Sequence, residues 1–218
     1  MSLGPLPPFH RALLLAAHTD DELGCAGTVI RLLEEGTEIH YFALSRCEAS
    51  VPAGFAKDVL YHECRECTSR MGIPESNVCV GEFEVRQFPR DRQLVLEEFV
   101  RLRNSLRPNI VFVPASSDIH QDHHTVYQEA FRAFKHSSIL GYELAQNTPN
   151  FHATAFVQLS SAHIDRKLHA LSAYKSQTTR NYSSEEYIRS LARVRGMQCN
   201  AEFAEAYEVI RMVMGGDG

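Results

Sequence analysis

Apolar and polar positions alternate along this chain in two rhythms. Short apolar runs, such as Ala12-Leu13-Leu14-Leu15-Ala16 and Ile110-Val111-Phe112-Val113, read as buried strands. Longer stretches with apolar residues three and four apart read as amphipathic helices. The pattern predicts strands over 11–17, 38–45, 77–80, 110–114, 138–142 and 155–159, and helices over 23–35, 55–71, 91–106, 125–134, 162–173 and 184–194. Gly36, Gly72 and Pro108 stand where helices should stop. Such alternation predicts an α/β fold, a three-layer sandwich whose mostly parallel central sheet is covered on both faces. No repeat, low-complexity tract or linker breaks the chain, so residues 1–218 are expected to form one domain, with an irregular arm over 1–8 and a frayed end over 215–218.

Composition narrows the choice. At 218 residues and 44% hydrophobic content, the chain is long enough for a substantial core. A net charge of -5 gives no basic footprint, so nucleic acid is not an implied partner. No apolar stretch reaches the roughly 18 residues that cross a bilayer. Residues 13–17 are too short for a secretion signal and run into Asp20-Asp21-Glu22, so a cytoplasmic, soluble protein is expected. Six cysteines fit a reduced compartment better than a disulfide framework. Cys64 and Cys67 form a C-x-x-C, but Leu60, Cys64, Cys67 and Met71 share one helical face, and no second C-x-x-C completes a zinc site. They read as small buried hydrophobes.

Candidate chemistry gathers at two strand ends. His18-Thr19-Asp20-Asp21-Glu22 follows the first strand, and Asp118-Ile119-His120-Gln121-Asp122-His123-His124 follows the fourth. In an open parallel sheet ligands bind beyond the carboxyl ends of strands, so both clusters belong to one site. Imidazole and carboxylate suit zinc, whose catalytic sites keep three protein ligands and one open position. His18 and Asp21 are spaced to aim at one point, and His123 or His120 can complete the set. Asp20 is then free to take a proton from water, and a leftover histidine can donate to a leaving amine or an oxyanion. These parts describe metal-assisted hydrolysis of an amide or ester.

At these residues the chain resembles the zinc-dependent N-deacetylases known as the LmbE-like or PIG-L family, which carry a paired motif like His18-Thr19-Asp20-Asp21-Glu22 with His120-Gln121-Asp122-His123. Leu23-Gly24-Cys25-Ala26-Gly27-Thr28, residues 167–177 and Ala204-Glu205-Ala206-Tyr207 resemble further family segments, so the likeness spans most of the chain. The resemblance implies a Rossmann-like fold and removal of an acetyl group from an N-acetylglucosamine-type sugar conjugate, a small-molecule substrate. It implies His18, Asp21 and His123 as zinc ligands, Asp20 as general base and His120 as acid or oxyanion stabiliser. Asp122 would orient a histidine, Glu22 would cap the next helix or hold the loop, and Glu48 would lie near substrate. Thr19 departs from the family's usual proline, and Ala26 stands where glycine is common. Asp118 either pairs with His120, raising its pKa, or is an ordinary turn aspartate. The ligand set suits iron(II) as well as zinc.

Blander readings compete. Asp20-Asp21-Glu22 alone would pass for the acidic first turn of a helix, but that leaves the second cluster unexplained. Spacing does not exclude His124 as a ligand; the family pattern selects His123. Gly24-x-x-Gly27 lacks the full dinucleotide-binding pattern, and acidic residues stand where phosphates would sit. Arg180, Tyr182, Arg193 and Arg195 either contact a phosphate or sugar hydroxyls or simply decorate helices, and the surface reading is favoured. Two functional alternatives are carried forward: an amidase acting on a larger amide, and a carbohydrate-binding relative without turnover. The pocket is closed either within one copy or in a homo-oligomer, a choice the sequence leaves open.

Overall fold

The structure is a computed structural model that describes residues 3–214 apart from Pro8. Seven strands form one sheet: β1 (Arg11–Ala16), β2 (Glu38–Ala43), β3 (Val78–Val80), β4 (Ile110–Pro114), β5 (Ser138–Tyr142), β6 (Ala155–Leu159) and β7 (Phe203–Arg211). Six helices accompany them: α1 (Ala26–Glu34), α2 (Val59–Met71), α3 (Phe88–Leu106), α4 (Gln121–Ala133), α5 (Ser161–Leu171) and α6 (Glu185–Gln198). The spatial order is β3-β2-β1-β4-β5-β7-β6. Strands β1 to β5 pair in parallel, and β7 joins antiparallel to both β5 and β6. The expected α/β sandwich with a mostly parallel sheet is the fold observed.

The unbroken apolar runs of β1 and β4 follow from burial on both faces. Leu14, Tyr41 and Phe112 pack with Ile30 of α1 and with Cys64 and Met71 of α2 on one side. On the other side, Leu13, Leu15 and Val111 meet Phe99 of α3 and Val126 of α4. Both cysteines of the C-x-x-C are free and fully buried, as their place on the helical face implied. The carboxyl ends of β1 and β4 are neighbours, and from β1 the chain order runs outward in both directions. That is the switch point where open sheets place their sites.

Several boundaries moved. The strand β7 was not anticipated, because Glu205 and Glu208 interrupt its apolar pattern. Its Glu205 is buried all the same: it accepts hydrogen bonds from Gly27 N–H (2.9 Å), Thr28 N–H (2.7 Å) and Lys167 Nζ (2.7 Å). This carboxylate caps α1 from a strand 178 positions later in the chain. Gly27 leaves room for this approach, since an added Cβ would lie 2.6 Å from the Leu159 side chain and 2.9 Å from that of Glu205 and would have to displace them. Helix α4 begins at Gln121, four residues earlier than expected, because His120 caps it through Nδ1, which accepts from Asp122 N–H (3.2 Å). Of the predicted irregular arm, Leu6 N–H bonds Glu35 (2.8 Å) and the Gly4 carbonyl accepts from Arg31, while Met1, Ser2 and Pro8 lie outside the described residues. The frayed end expected over 215–218 also lies outside them.

Candidate metal centre

β1 delivers His18 two residues past its end, and a single 3-10 turn, Asp21–Gly24, folds the loop back under it. Asp21 accepts from the His18 N–H at 2.8 Å, which holds ring and carboxylate side by side. The first turn of α4 supplies His123. His18 Nδ1 and His123 Nε2 are 3.0 Å apart, and the Asp21 carboxylate lies 3.4 Å from His123 Nε2 and 3.7 Å from His18 Nδ1. Ligands on a tetrahedral ion with 2.0–2.1 Å bonds sit roughly 3.3 Å apart, so the three side chains match that spacing.

The remaining ring nitrogens carry the decisive chemistry. His18 Nε2 faces Asp122 at 3.0 Å, and His123 Nδ1 faces Asp118 at 2.7 Å. A carboxylate accepts, so each of these nitrogens holds its ring's hydrogen. With both rings neutral, the two nitrogens that face each other present lone pairs, and the Asp21 carboxylate lies beside them through both of its oxygens. Three electron-rich atoms aimed at one point fit a divalent cation, and carboxylates behind histidines are the usual supports of such a site. Burial works against a positive charge on His123, but Asp21, Asp118 and Asp20 outweigh it and hold its pKa up at about 9. The centre is electrostatically built for positive charge.

Asp20 sits beside this set on the wall of a cleft of about 310 Å³ that also exposes His18, Asp21, His120 and His123. Burial, reinforced by the adjacent Asp21, pushes its pKa up to about 6 against the pull of His18. His120 also reaches the centre: ring nitrogens of His18, His120 and His123 all lie within 4.8 Å of one another. Burial, with His123 and His18 adding to it, lowers the His120 pKa. Because Nδ1 accepts from a backbone amide, the neutral ring carries its hydrogen on Nε2.

Asp118 corrects an expectation. It takes the His120 backbone N–H (2.8 Å), but its other oxygen serves the His123 ring, so it does not raise the pKa of His120. Asp122 orients a histidine as anticipated, and that histidine is His18. Burial opposes the charge on Asp122, but hydrogen bonds from His18, Arg86 N–H and Phe88 N–H keep its pKa low. Glu22 caps no helix. It is fully buried, accepts from Tyr41 Oη (3.0 Å) and Tyr174 Oη (2.5 Å), and so ties the loop to β2 and to the segment after α5. Burial pushes its pKa up to about 7 despite the Tyr174 bond. Thr19 has a buried hydroxyl with no partner among the described residues. Glu48 lines a neighbouring cleft of about 580 Å³, which shares Cys47 and Val85 with the first. His124 is exposed and bonds Gln128, away from the cluster.

Residues 13–134 match the family described as PIG-L: GlcNAc-PI de-N-acetylase. The chain belongs to the PIG-L family. The match takes in β1 from Leu13 onward, β4, α4 and the residues His18, Asp20, Asp21, Asp118, His120, Asp122 and His123. The chain is 25% identical over 171 residues to the uncharacterized deacetylase YaiS of Escherichia coli, covering 75% of this chain and 90% of that one. Two solved structures share the fold. N,N'-diacetylchitobiose deacetylase from Pyrococcus horikoshii superposes with a TM-score of 0.78 at 17% identity, covering 93% of this chain and 84% of that one. GalB, the 4-carboxy-2-hydroxymuconate hydratase of Pseudomonas putida, gives 0.76 at 18% identity, covering 95% and 98%. A deacetylase and a hydratase on one scaffold show that the scaffold alone does not name a reaction.

Arg180 and Tyr182 correct the surface reading, since both line the cleft, as does Arg86. Arg195 is paired with Glu143 at 2.5 Å, and Arg193 lies over the Phe203 ring at 4.9 Å. Nothing in the local pattern singled out Arg86. Its φ of +70, in a region non-glycine residues seldom occupy, emerges only in the fold.

Proposed function

We propose that this protein is a zinc-dependent N-deacetylase that removes the acetyl group from an N-acetylglucosamine-type amino-sugar conjugate. One observation carries the reading: in a PIG-L family chain, two imidazole lone pairs and the Asp21 carboxylate converge on one point, with Asp20 beside them in an open cleft.

His18, Asp21 and His123 would hold the metal. When bound, such a cation polarises the amide carbonyl and acidifies a water molecule. Asp118 and Asp122 keep the two histidines in the ligating tautomer. Asp20 takes the proton of the water as its oxygen attacks the carbonyl carbon. The neutral His120 Nε2–H donates to the developing oxyanion; with its pKa lowered, this role suits it better than that of an acid. As the C–N bond breaks, protonated Asp20 returns its proton to the leaving amine, leaving acetate and a free amino sugar. The neighbouring cleft, with Glu48 on its wall, gives a larger carrier or acyl group a place to lie. That favours keeping the larger-amide reading as the alternative.

The test is acetate release from N-acetylglucosamine conjugates by protein stripped with a chelator, then reloaded with zinc or iron(II). Activity should follow the metal, with about one equivalent bound by elemental analysis. Release of a longer acid instead of acetate would select the larger amide. A protein that takes up neither metal and frees no acid would remove the reading.

A further inference from the structure

Arg86 and Arg180 enter the cleft from two separate loops, and neither has a part in the chemistry above. Arg86 lies between β3 and α3. Its N–H donates to Asp122 at 2.5 Å, and Phe88 N–H adds a second bond to the same carboxylate at 3.3 Å. The turn that places Arg86 is therefore fastened to the group that orients His18. Its left-handed φ is held by those bonds, and strained positions of this kind gather at ligand clamps. Arg180 lies in the segment between α5 and α6, where its carbonyl accepts from Ser183 N–H (3.0 Å) and Oγ (2.7 Å). Tyr182 stands beside it on the cleft wall.

Partners separate these two from most other arginines. Of the chain's eighteen, thirteen lie within 4.0 Å of a carboxylate. Among the described residues Arg86 and Arg180 do not, and the one side-chain partner of Arg86 is the Ser50 hydroxyl at 3.4 Å. Two guanidinium groups thus line the cleft without the close carboxylate that most other arginines have, although Arg180 is near enough to Asp20 to draw its pKa down. Leu23, Leu60, Val85 and Leu144 form the apolar part of the lining, and the two arginines are its only guanidinium groups among the described residues. The planar fork of a guanidinium matches the oxygens of a phosphate or carboxylate.

We propose that Arg86 and Arg180 bind an oxyanion substituent of the substrate, so that the acylated amino sugar carries a phosphate or a carboxylate. The proposal rests on the deacetylase reading and narrows its substrate class. The arginines hold the anionic end while the amide is presented to Asp20 and the metal ligands.

Product sugars test it without turnover. Titration calorimetry of the zinc-loaded protein would compare glucosamine, glucosamine 1-phosphate and muramic acid, the last carrying a carboxylate. At least one anionic sugar should bind ten times more tightly than glucosamine or better, and the stronger of the two names the oxyanion. A charge-assisted bond is worth about tenfold in affinity. Arg180→Ala and Arg86→Ala should therefore each cut the preference about tenfold, while Arg180→Lys and Arg86→Lys retain part of it. Equal binding of all three sugars would overturn the proposal, as would a preference that survives both alanine variants, which would place the anion on the metal instead. If an alanine variant does not fold, the lysine variants carry the test, and an undiminished preference in both counts against the clamp. Failure of the deacetylase reading would look different: the anion preference would stand, but the N-acetylated sugars would release no acetate.

Discussion

Two buried groups of charge lie near the start of α1, and they end differently. At the first turn of the helix, Glu205 meets Lys167 at 2.7 Å and two backbone amides, and the Tyr207 hydroxyl binds Glu205 at 3.2 Å and Thr28 at 2.6 Å. Each polar side chain there has a partner within the cluster, and the cluster is closed. In the loop before the helix and at the start of α4, Asp118 and Asp122 satisfy the outer nitrogens of two histidines and leave the inner nitrogens facing each other beside Asp21. Both clusters bury charge at a cost. Only the second keeps donor capacity in reserve, and that reserve is what separates a site from a brace.

The contrast yields variants with opposite signatures. The largest effect is expected from Asp20→Asn, which should lower kcat for acetate release by about 10² to 10⁴-fold with unchanged zinc content by elemental analysis. Normal turnover in that variant would remove Asp20 from the chemistry. In the closed cluster, Lys167→Met leaves Glu205 without its cation, and should cost about 3 kcal/mol. On a chain of this length that is a fall of roughly 10 °C in Tm, read by thermal unfolding, with zinc stoichiometry intact in the folded protein. Should Lys167→Met instead abolish zinc binding in a folded protein, the two clusters are not separate. Asp118→Asn should weaken zinc binding about 10- to 100-fold, measured by chelator competition.

Subtler tests concern pH and packing. Asp20 must be ionised to accept a proton, so kcat/KM should rise as pH increases through its pKa. That limb should sit at or below about 6, because a bound cation favours the carboxylate. His120 works as a neutral donor here, so it should add no alkaline fall near neutrality. A fall that disappears in His120→Gln would return it to the role of acid. Smallest of all, Thr19→Val removes a buried hydroxyl that has no partner, and should raise stability by up to about 1 kcal/mol.

The same contrast explains what could be read from the chain and what could not. Strands β1 and β4 were plain because burial on both faces leaves unbroken apolar runs. The clusters after them were plain because histidine and aspartate rarely crowd together at strand ends without a task. Strand β7 was hidden, because its buried Glu205 looks like a surface residue until Lys167 and the amides of α1 are brought to it. The partner of Asp118 was unreadable for a similar reason: the helix starts at Gln121, so its first turn swings His123, not His120, onto the carboxylate. Arg86 and Arg180 are ordinary in composition, and only the cleft sets them apart. Local pattern shows where chemistry gathers; pairings across the fold decide which atom does what.

The bond from Glu205 to Gly27 joins residues 178 positions apart. A chain emerging from the ribosome therefore completes the His18 loop early but receives the brace behind it late. Contacts of such long range are slow to close. Until β7 docks, the helix that follows the Asp20-Asp21 loop starts without its cap, and a nascent chain halted before Glu205 would hold the whole ligand set on an unfinished footing. Completion of the centre is then expected to wait on β7, and metal loading in a coupled translation experiment should lag behind synthesis of that strand.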